Sequence, residues 1–370
     1  MATKIKDTKP YMNIGPGEFI REEMEYRNWT NEDLAQVMGL SPKTIRELLN
    51  NKQRITIDTA YILGKVFGQS PQYWLNLDTN YRLRLKENNG ESHESEIKSI
   101  IYEKMPVNEM RKRGWIKDFK DIEELKKIFT EFWDLPDFDP TKIDSLYVSH
   151  TRKSDAWQKY NEYYLLAWTQ MAKTASGQYT VPEYSKKGLE AIAYELTGYS
   201  MKKQGVAGFL RALTGCGVKF ICLSHLPRTY LDGASFIHDG NPVIVYTVRY
   251  DRVDNFWFTM AHEIGHVLKH VRNEKDIFID DLKGEDKSRV EKEADQFAER
   301  VLKVHDILTY FNEYKNYISE KRVMECSKKH NLHPSIITGI LKHNKLLAYN
   351  RLNHLNESVR DKIPGKYCVD

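Results

Sequence analysis

The chain has 370 residues, which is enough for two or three compact domains with buried cores. Its net charge of +4 is too small to indicate a nucleic-acid binder by bulk charge, so any such binding must depend on a local basic surface. No long uncharged apolar run is present, which excludes a membrane span, and the first residues lack the apolar core of a secretory signal. Four scattered cysteines without a CxxC pair favour a reducing compartment, so we expect a cytoplasmic protein.

The first predicted domain, residues 1–88, consists of short helices separated by turn signals. After an amphipathic segment GEFIREEMEYRN, Thr30 with Asp33 three residues later is typical of a capping box at the start of the next helix. Gly39 is predicted to end that helix. Ser41 is predicted to cap the following helix, with Pro42 at its first position, where a missing N–H costs nothing.

The middle of the chain is predicted to be a helical connecting region over residues 97–198, reached through a polar linker at residues 86–96. In one long helix, large apolar side chains recur at three- and four-residue steps. This stripe indicates packing between helices far more than a ligand site; it comprises Trp157, Tyr160, Tyr164, Trp168 and Met171.

The pattern changes to strands after Gly217. VKFICL reads as one short strand, and ASFI and VIVYTVRY read as two more around the turn HDGNP. Helical periodicity returns at Asn255 and persists to about Asn350, and the tail over residues 357–370 is expected to be frayed. The predicted fold class is therefore mainly α, with an all-α N-terminal domain, a helical middle, a small α+β domain over residues 199–304 and a C-terminal helical extension over residues 305–356.

The segment FTMAHEIGHVLKH places His262, Glu263 and His266 on one predicted helix. Four residues advance a helix by about 400°, so both imidazoles leave the same face one turn apart. Neutral imidazole nitrogens suit Zn²⁺, and two of them supply half of a tetrahedral ligand set. Glu263 is placed to reach a water molecule at the metal without ligating the metal, as a general base requires.

A catalytic zinc needs a third protein ligand, and the segment EKEADQFAERVL offers carboxylates on a second helix. Ala294 and Ala298 would let this helix approach the first closely. Glu291 is then the predicted third ligand, and Asp295 would hold a histidine through its other nitrogen. Glu293 is the competing ligand, but it points about 200° from Glu291. The alternative is that Glu291 and Asp295 are only solvated helix charges.

His270 extends the same helix face one turn further. Because the segment lacks the glycine and the six-residue offset of three-histidine zinc peptidases, we predict that His270 packs or supports a ligand and does not bind the metal. The strand VIVYTVRY is predicted to pair with an extended substrate through its backbone. The donor that stabilises the oxyanion is left open among Tyr246, Arg249 and Tyr250.

Residues 200 to about 302 resemble the ImmA/IrrE zinc metallopeptidases of bacteria and their mobile elements, on the segments DGASFI, FTMAHEIGHVLKH and EADQFAERVL. The resemblance implies a zincin-like fold, a zinc ion, and cleavage of a regulatory protein, commonly a helix-turn-helix repressor. It implies His262, His266 and Glu291 as ligands and Glu263 as the base. After the Phe–Ala pair the family usually continues to Leu–Met–Pro, whereas this chain has VLKVHD. This departure affects the geometry of the next element and not the chemistry of the site.

Residues 14–85 resemble the HigA-type antitoxin branch of the phage-repressor-like (XRE) helix-turn-helix proteins, on IGPGEFIREEM, LAQVMGLSPKTIRELLNNKQRIT, DTAYILGKVFG and SPQYWLNLDTNYRL. In such a unit the second helix enters the major groove with its first turn against base edges. The predicted base-facing residues are Ser41, Pro42, Lys43, Thr44, Arg46 and Glu47, and the predicted phosphate contacts are Lys52 and Arg54. The expected partner is double-stranded operator DNA bound by a homodimer; the alternative is a helix-turn-helix that only packs against protein.

The combined prediction is an antitoxin-like repressor that carries a zinc-dependent endopeptidase domain, which cleaves a repressor or the chain itself. The alternative is an antitoxin-type DNA-binding protein that neutralises a cognate toxin, with a zinc domain that only senses or stabilises. Glu263 argues against this alternative, because a structural zinc site needs no base. A general degradative protease is disfavoured by the predicted DNA-binding domain.

Overall fold

The computed structural model describes residues 13–88, 91–144, 159–227, 229, 231–274, 276–281, 289–314 and 317–369. Residues 1–12 of the predicted first domain, Trp157 of the aromatic stripe and Asp370 of the tail lie outside the described residues. The chain divides into two compact units, Met1–Ser99 and Ile100–Asp370. The finer division predicted from the sequence remains a prediction.

The first unit is helical. Its helices are α1 (Pro16–Tyr26), α2 (Asn31–Met38), α3 (Pro42–Leu49), α4 (Ile57–Phe67) and α5 (Pro71–Asn88). Thr30 and Asp33 form the predicted capping box, Gly39 ends α2 with a φ of 65°, and Ser41 caps α3, so the sequence predictions for this turn are confirmed.

The packing of α1 against α3 holds α3 in place. A Cβ added at Gly17 would lie 2.1 Å from the carbonyl oxygen of Leu49, so the backbones of α1 and α3 touch directly. Ile20, Ile45 and Trp74 are almost fully buried in the same core. The polar face of α3 is thereby left exposed to solvent.

The predicted linker at residues 86–96 is helical on both sides of residues 89–90. Helix α5 ends at Asn88, and α6 (Glu91–Lys104) begins at Glu91. Glu94 and Lys98, four residues apart, form an ion pair at 2.8 Å, which is a pairing that favours helix in a polar segment.

Further helices precede the sheet: α7 (Val107–Lys112), α8 (Ile122–Trp133), α9 (Lys159–Gly177), α10 (Lys186–Tyr194), α11 (Leu196–Ser200) and α12 (Gly205–Gly215). The described members of this stripe, Tyr160, Tyr164, Trp168 and Met171, lie on α9. Trp168 is fully buried and its indole N–H donates to the Ser224 carbonyl at 3.2 Å, as expected of core packing, whereas Tyr164 and Met171 are half-buried.

Within the described residues the sheet has four strands, β1 (Lys219–Cys222), β2 (Leu231–His238), β3 (Asn241–Tyr246) and β4 (Ile277–Asp281), in the order β1-β3-β2-β4. Strands β1 and β3 are parallel, and the other pairs are antiparallel. Asp239 and Gly240 have φ of 51° and 74°, which confirms the predicted hairpin turn.

Two strand predictions are corrected by the structure. The third predicted strand is too long, since β3 ends at Tyr246 and Val248 adopts a φ of 51°, which is incompatible with a strand. Strand β4 lies in a region predicted to be helical. It is only five residues long and forms through its pairing with β2, so its own sequence periodicity is a weak signal.

Helix α13 (Val253–Lys269) packs across the sheet and is followed by α14 (Arg289–Val301), α15 (Val304–Asn312), α16 (Glu320–His330) and α17 (Pro334–His343). Phe209 packs edge-on against Phe256 and Trp257 of α13, so the interior side of this helix is fixed by aromatic contacts. The predicted fold class, mainly α with a small α+β domain, is confirmed. None of the described helices is long and apolar enough to span a bilayer.

The prediction of a frayed tail is wrong for residues 357–369. Val359, Ile363 and Tyr367, spaced four residues apart, are buried in the core of the second unit. The Asp251 carboxylate accepts from the backbone N–H groups of Val359 and Arg360, each at 2.8 Å. The tail therefore docks just before the start of α13.

Candidate metal centre and DNA-binding surface

The two histidines of the HExxH segment lie one turn apart on α13 and face each other. His262 is 3% exposed and His266 is fully buried, and their Nε2 atoms are 2.9 Å apart. Because four residues complete roughly one helical turn, this convergence follows from the spacing alone.

Glu291, from α14, completes the cluster. Its Oε2 lies 3.3 Å from Nε2 of His262 and 3.5 Å from Nε2 of His266. A tetrahedral zinc with bonds of about 2.0–2.1 Å places its ligand atoms roughly 3.3 Å apart, so these three atoms suit one zinc ion. Among the described residues, this is the group that could hold a metal.

The electrostatics of Glu291 suit an anionic ligand. Burial by itself would raise the pKa of this carboxyl, but hydrogen bonds with His262 and His266 outweigh that effect, and the pKa of Glu291 is lowered overall. Asp295, one turn later on α14, lies 3.0 Å from Nδ1 of His262. It therefore occupies the position predicted for a residue that holds the histidine through its other nitrogen.

The close approach of α13 and α14 brings Glu291 to the histidines. A Cβ added at Gly265 would lie 3.2 Å from Cβ of Phe297 and 3.3 Å from Cα of Ala294. Ala294 and Ala298, the small residues singled out in the sequence, are both fully buried. Gly265 was missed, although a glycine between the two histidines of the HExxH segment on a helix is itself a signal of close packing.

Glu263 lies fully buried against β2. A Cβ added at Gly233 would lie 2.5 Å from Oε1 of Glu263 and 2.9 Å from Cγ2 of Thr259. The absence of a side chain at Gly233 therefore makes the space for the Glu263 carboxylate. Sequence reasoning missed this role of Gly233.

The remaining predicted candidates lie in different surroundings. Glu293, the competing candidate for the third ligand, lies 3.3 Å from His270 and accepts a hydrogen bond from Arg289, so it is turned away from the Nε2 atoms of His262 and His266. Tyr246 is fully buried, its hydroxyl donates to the Tyr250 carbonyl at 3.2 Å, and burial raises its pKa. The choice among the three predicted oxyanion donors stays open.

The substrate-pairing role predicted for the third strand is wrong. Strand β3 lies between β1 and β2 and pairs with both, so its backbone groups are already used. The strand at the edge of the described sheet on the side of β2 is β4. Phe278 of β4 stacks on the ring of His266 at 4.9 Å, which places β4 beside the cluster.

In the first unit, the residues predicted to contact DNA lie on or just after α3. Ser41 accepts from the Thr44 N–H at 3.1 Å, and Lys43 lies 3.9 Å from Glu47. The exposed members of the set are Ser41, Pro42, Lys43, Arg46, Lys52 and Arg54, and the half-exposed members are Thr44 and Glu47. This surface is polar and accessible, as a major-groove helix requires.

Each of the two units contains a segment that matches a known protein family. Residues 20–74 match the helix-turn-helix family model, and residues 220–334 match the Peptidase_M78 model, described as the IrrE N-terminal-like domain. Virulence-associated protein I of Dichelobacter nodosus is 38% identical over 80 residues, which cover 21% of this chain and 74% of that protein. An uncharacterized HTH-type transcriptional regulator of Haemophilus influenzae is 39% identical over 74 residues, covering 20% of this chain and 69% of that protein. This chain belongs to the helix-turn-helix transcriptional regulators and carries a Peptidase_M78 domain.

Solved structures are similar to part of this chain. An addiction module antidote protein of the HigA family from Coxiella burnetii is 29% identical, with 23% of this chain and 92% of that chain covered and a TM-score of 0.22. Antitoxin GraA is 28% identical, with 23% and 91% covered and a TM-score of 0.22. The two relatives and both structures align to about a fifth to a quarter of the chain.

The residues of the candidate metal cluster lie inside the Peptidase_M78 match, which is a match to a metallopeptidase family. The match begins in β1 and ends at Pro334, so it contains the whole cluster and the residues that hold it. The helix-turn-helix match similarly contains every predicted DNA-contacting residue of the regulator.

Substituting Gly265 with alanine is expected to weaken zinc binding, because the added methyl group must displace Phe297 or the backbone at Ala294 by a few tenths of an ångström and so shift α14 relative to α13. Zinc affinity is measured by competition with a chromophoric chelator, and stability by denaturant unfolding. Gly215→Ala, at the end of α12 where nothing lies within 4 Å of the added Cβ, is the matched control. Equal zinc affinity in the two variants would contradict the role assigned to close helix packing.

Proposed function

We propose that this regulator is a DNA-binding repressor whose second unit is a zinc-dependent endopeptidase that cleaves a regulatory protein, either another repressor or the chain itself. The observation that carries the proposal is the convergence of His262, His266 and Glu291 on one point beside a buried Glu263. A structural zinc site would gain nothing from burying a carboxylate that is not a ligand.

Each residue of the cluster has a distinct role in this proposal. A zinc ion held by His262, His266 and Glu291 would act as a Lewis acid toward the scissile carbonyl and the attacking water. Glu263 accepts the proton of that water and delivers it to the leaving amine. Asp295 holds His262 by its Nδ1 and so keeps Nε2 directed at the metal.

Strand β4 is the proposed docking strand for the substrate. It pairs with β2 on one side and stands at the edge of the described sheet, and its Phe278 stacks on His266. An extended peptide added to β4 would run past the cluster, with its backbone paired to the strand. The proposed substrate is therefore an extended or locally unfolded segment of a protein.

The first unit supplies the location of the activity. We propose that it binds double-stranded operator DNA as a homodimer, with the first turn of α3 in the major groove. A cognate toxin as partner stays a prediction. Cleavage near the operator would remove repressor from the promoter, which explains why one chain carries both units.

The DNA-binding proposal predicts different effects for two basic residues. Arg46→Ala is expected to cost about 1–3 kcal/mol of DNA-binding free energy and to relax the sequence preference. Lys52→Ala is expected to weaken binding to all sequences and to reduce by about 1 the slope of log affinity against log salt concentration. Duplexes selected from a random library serve as ligands, and affinity is measured over a range of salt concentrations. Lys65→Ala, an exposed charge on α4, is the control. Unchanged binding in both α3-region variants would contradict a DNA-binding role for α3.

The peptidase proposal is tested by incubating the zinc-loaded protein with its selected duplex and with the products of neighbouring genes. Mass spectrometry of the mixture is expected to show fragments cut at a bond in an extended segment. Fragments that also appear with a chelator present would be the work of a contaminating protease. A zinc-loaded protein that cuts neither itself nor these candidates would favour the sensing or structural role for the second unit.

A further inference from the structure

The two ring nitrogens of His266 face different partners. Nε2 belongs to the cluster, whereas Nδ1 lies 3.1 Å from Nδ1 of His270. Two imidazole nitrogens at this distance form a hydrogen bond only if one carries the proton and the other does not. The tautomer of His270 is thus tied to that of His266.

The direction of this hydrogen bond follows from the metal site. A nitrogen that ligates a metal carries no proton, so His266 in its metal-binding form has its proton on Nδ1 and donates to His270. His270 must then carry its own proton on Nε2. That atom lies 3.3 Å from Oε2 of Glu293, which is an acceptor.

The surroundings keep these hydrogen bonds in place. The Glu293 carboxylate also accepts from Nε of Arg289 at 2.8 Å, which orients it. The ring of Phe278 lies 4.9 Å from that of His266 and 5.7 Å from that of His270, so it covers the contact between the two imidazoles. A covered hydrogen bond is not readily exchanged for one to water.

We propose that His270 and Glu293 are positioning residues for His266, and that they set the zinc affinity of the site through the chain of hydrogen bonds His266–His270–Glu293. This inference rests on the proposed zinc site. It makes the two histidine ligands unequal, because Nδ1 of His262 contacts the carboxylate of Asp295 directly, whereas Nδ1 of His266 contacts His270, which in turn contacts Glu293. The half-exposed Glu293 thereby links the buried site to the protein surface.

The test compares zinc affinities of full-length variants by competition with a chromophoric chelator. His270→Phe keeps the aromatic packing but removes both nitrogens, and it is expected to weaken zinc binding about 10- to 100-fold. His270→Asn places an amide oxygen near the position of Nδ1 and is expected to restore most of that loss. Glu293→Gln is expected to weaken binding roughly tenfold, whereas Glu299→Gln, which removes the same charge from the exposed face of α14, should have no effect.

A spectroscopic readout separates orientation of the ligand from loss of stability. The visible absorption bands of the Co²⁺-loaded protein are expected to change in His270→Phe and to return towards the wild-type bands in His270→Asn. Equal affinities and spectra for these two variants, or equal affinities for Glu293→Gln and Glu299→Gln, would overturn the inference. If wild-type protein binds zinc and Glu291→Gln weakens it while the His270 variants do not, the hydrogen-bonded chain fails but the zinc site stands. If the wild type binds no zinc, both fail.

Discussion

Replacing Glu263 with glutamine is expected to abolish peptide cleavage while leaving zinc bound. The amide has nearly the same shape as the carboxylate, but it cannot take a proton from the attacking water, and loss of a general base costs on the order of 10²–10⁴-fold in rate. Glu263 is not among the three residues of the cluster, so zinc affinity should not change. The measurements are the yield of fragments from any substrate found and chelator competition for zinc.

A second substitution tests the position of this carboxylate. Because a Cβ at Gly233 would lie 2.5 Å from Oε1 of Glu263, Gly233→Ala is expected to displace the carboxylate and to slow cleavage without removing zinc. For the Glu263→Gln substitution, Glu299→Gln is the control, because it makes the same change of charge at an exposed position of α14. Cleavage at the wild-type rate by purified Glu263→Gln would refute the assignment of Glu263 as the base.

Replacing Glu291 with glutamine is expected to weaken zinc binding by more than about 100-fold, a larger loss than that for a residue that only holds a ligand. The neutral amide is a poor ligand, and the variant loses the anion that lies 3.3 Å and 3.5 Å from the two Nε2 atoms. Since the hydrogen bonds with the histidines lower the pKa of Glu291, its carboxyl is ionised at neutral pH in the wild type.

The comparison variant for Glu291 is Glu293→Gln, the same substitution two residues along α14. Chelator competition on both proteins ranks the two carboxylates directly. If Glu293→Gln lost more zinc affinity than Glu291→Gln, Glu293 would replace Glu291 as the third ligand. Thermal unfolding of both variants without zinc checks that the difference arises from metal binding and not from folding.

Local signals account for the features that were predicted well. The caps at Thr30 and Ser41 depend on hydrogen bonds within four residues, and the convergence of His262 and His266 depends only on the pitch of a helix. The position of Glu291 needed one further step, namely that small residues on α14 allow close packing. These predictions required no knowledge of distant parts of the chain.

Features that depend on distant partners were missed or wrong. Strand β4 forms through its pairing with β2. The tail is held in place because the Asp251 carboxylate, more than a hundred residues earlier in the sequence, accepts hydrogen bonds from its backbone. The space that Gly233 leaves for the Glu263 carboxylate depends on the packing of β2 against α13. In each case the decisive contact joins residues that no local pattern connects.

By itself, the sequence determined the two kinds of unit, the helix that presents both imidazoles and the helix whose exposed face is polar, because these follow from periodicity and capping. Only the tertiary structure decided that β4 and not β3 stands at the sheet edge beside the cluster, and that His270 contacts Glu293. The physical reason is that side-chain direction at a site built from several elements is set by how those elements pack, and packing is a property of the whole domain.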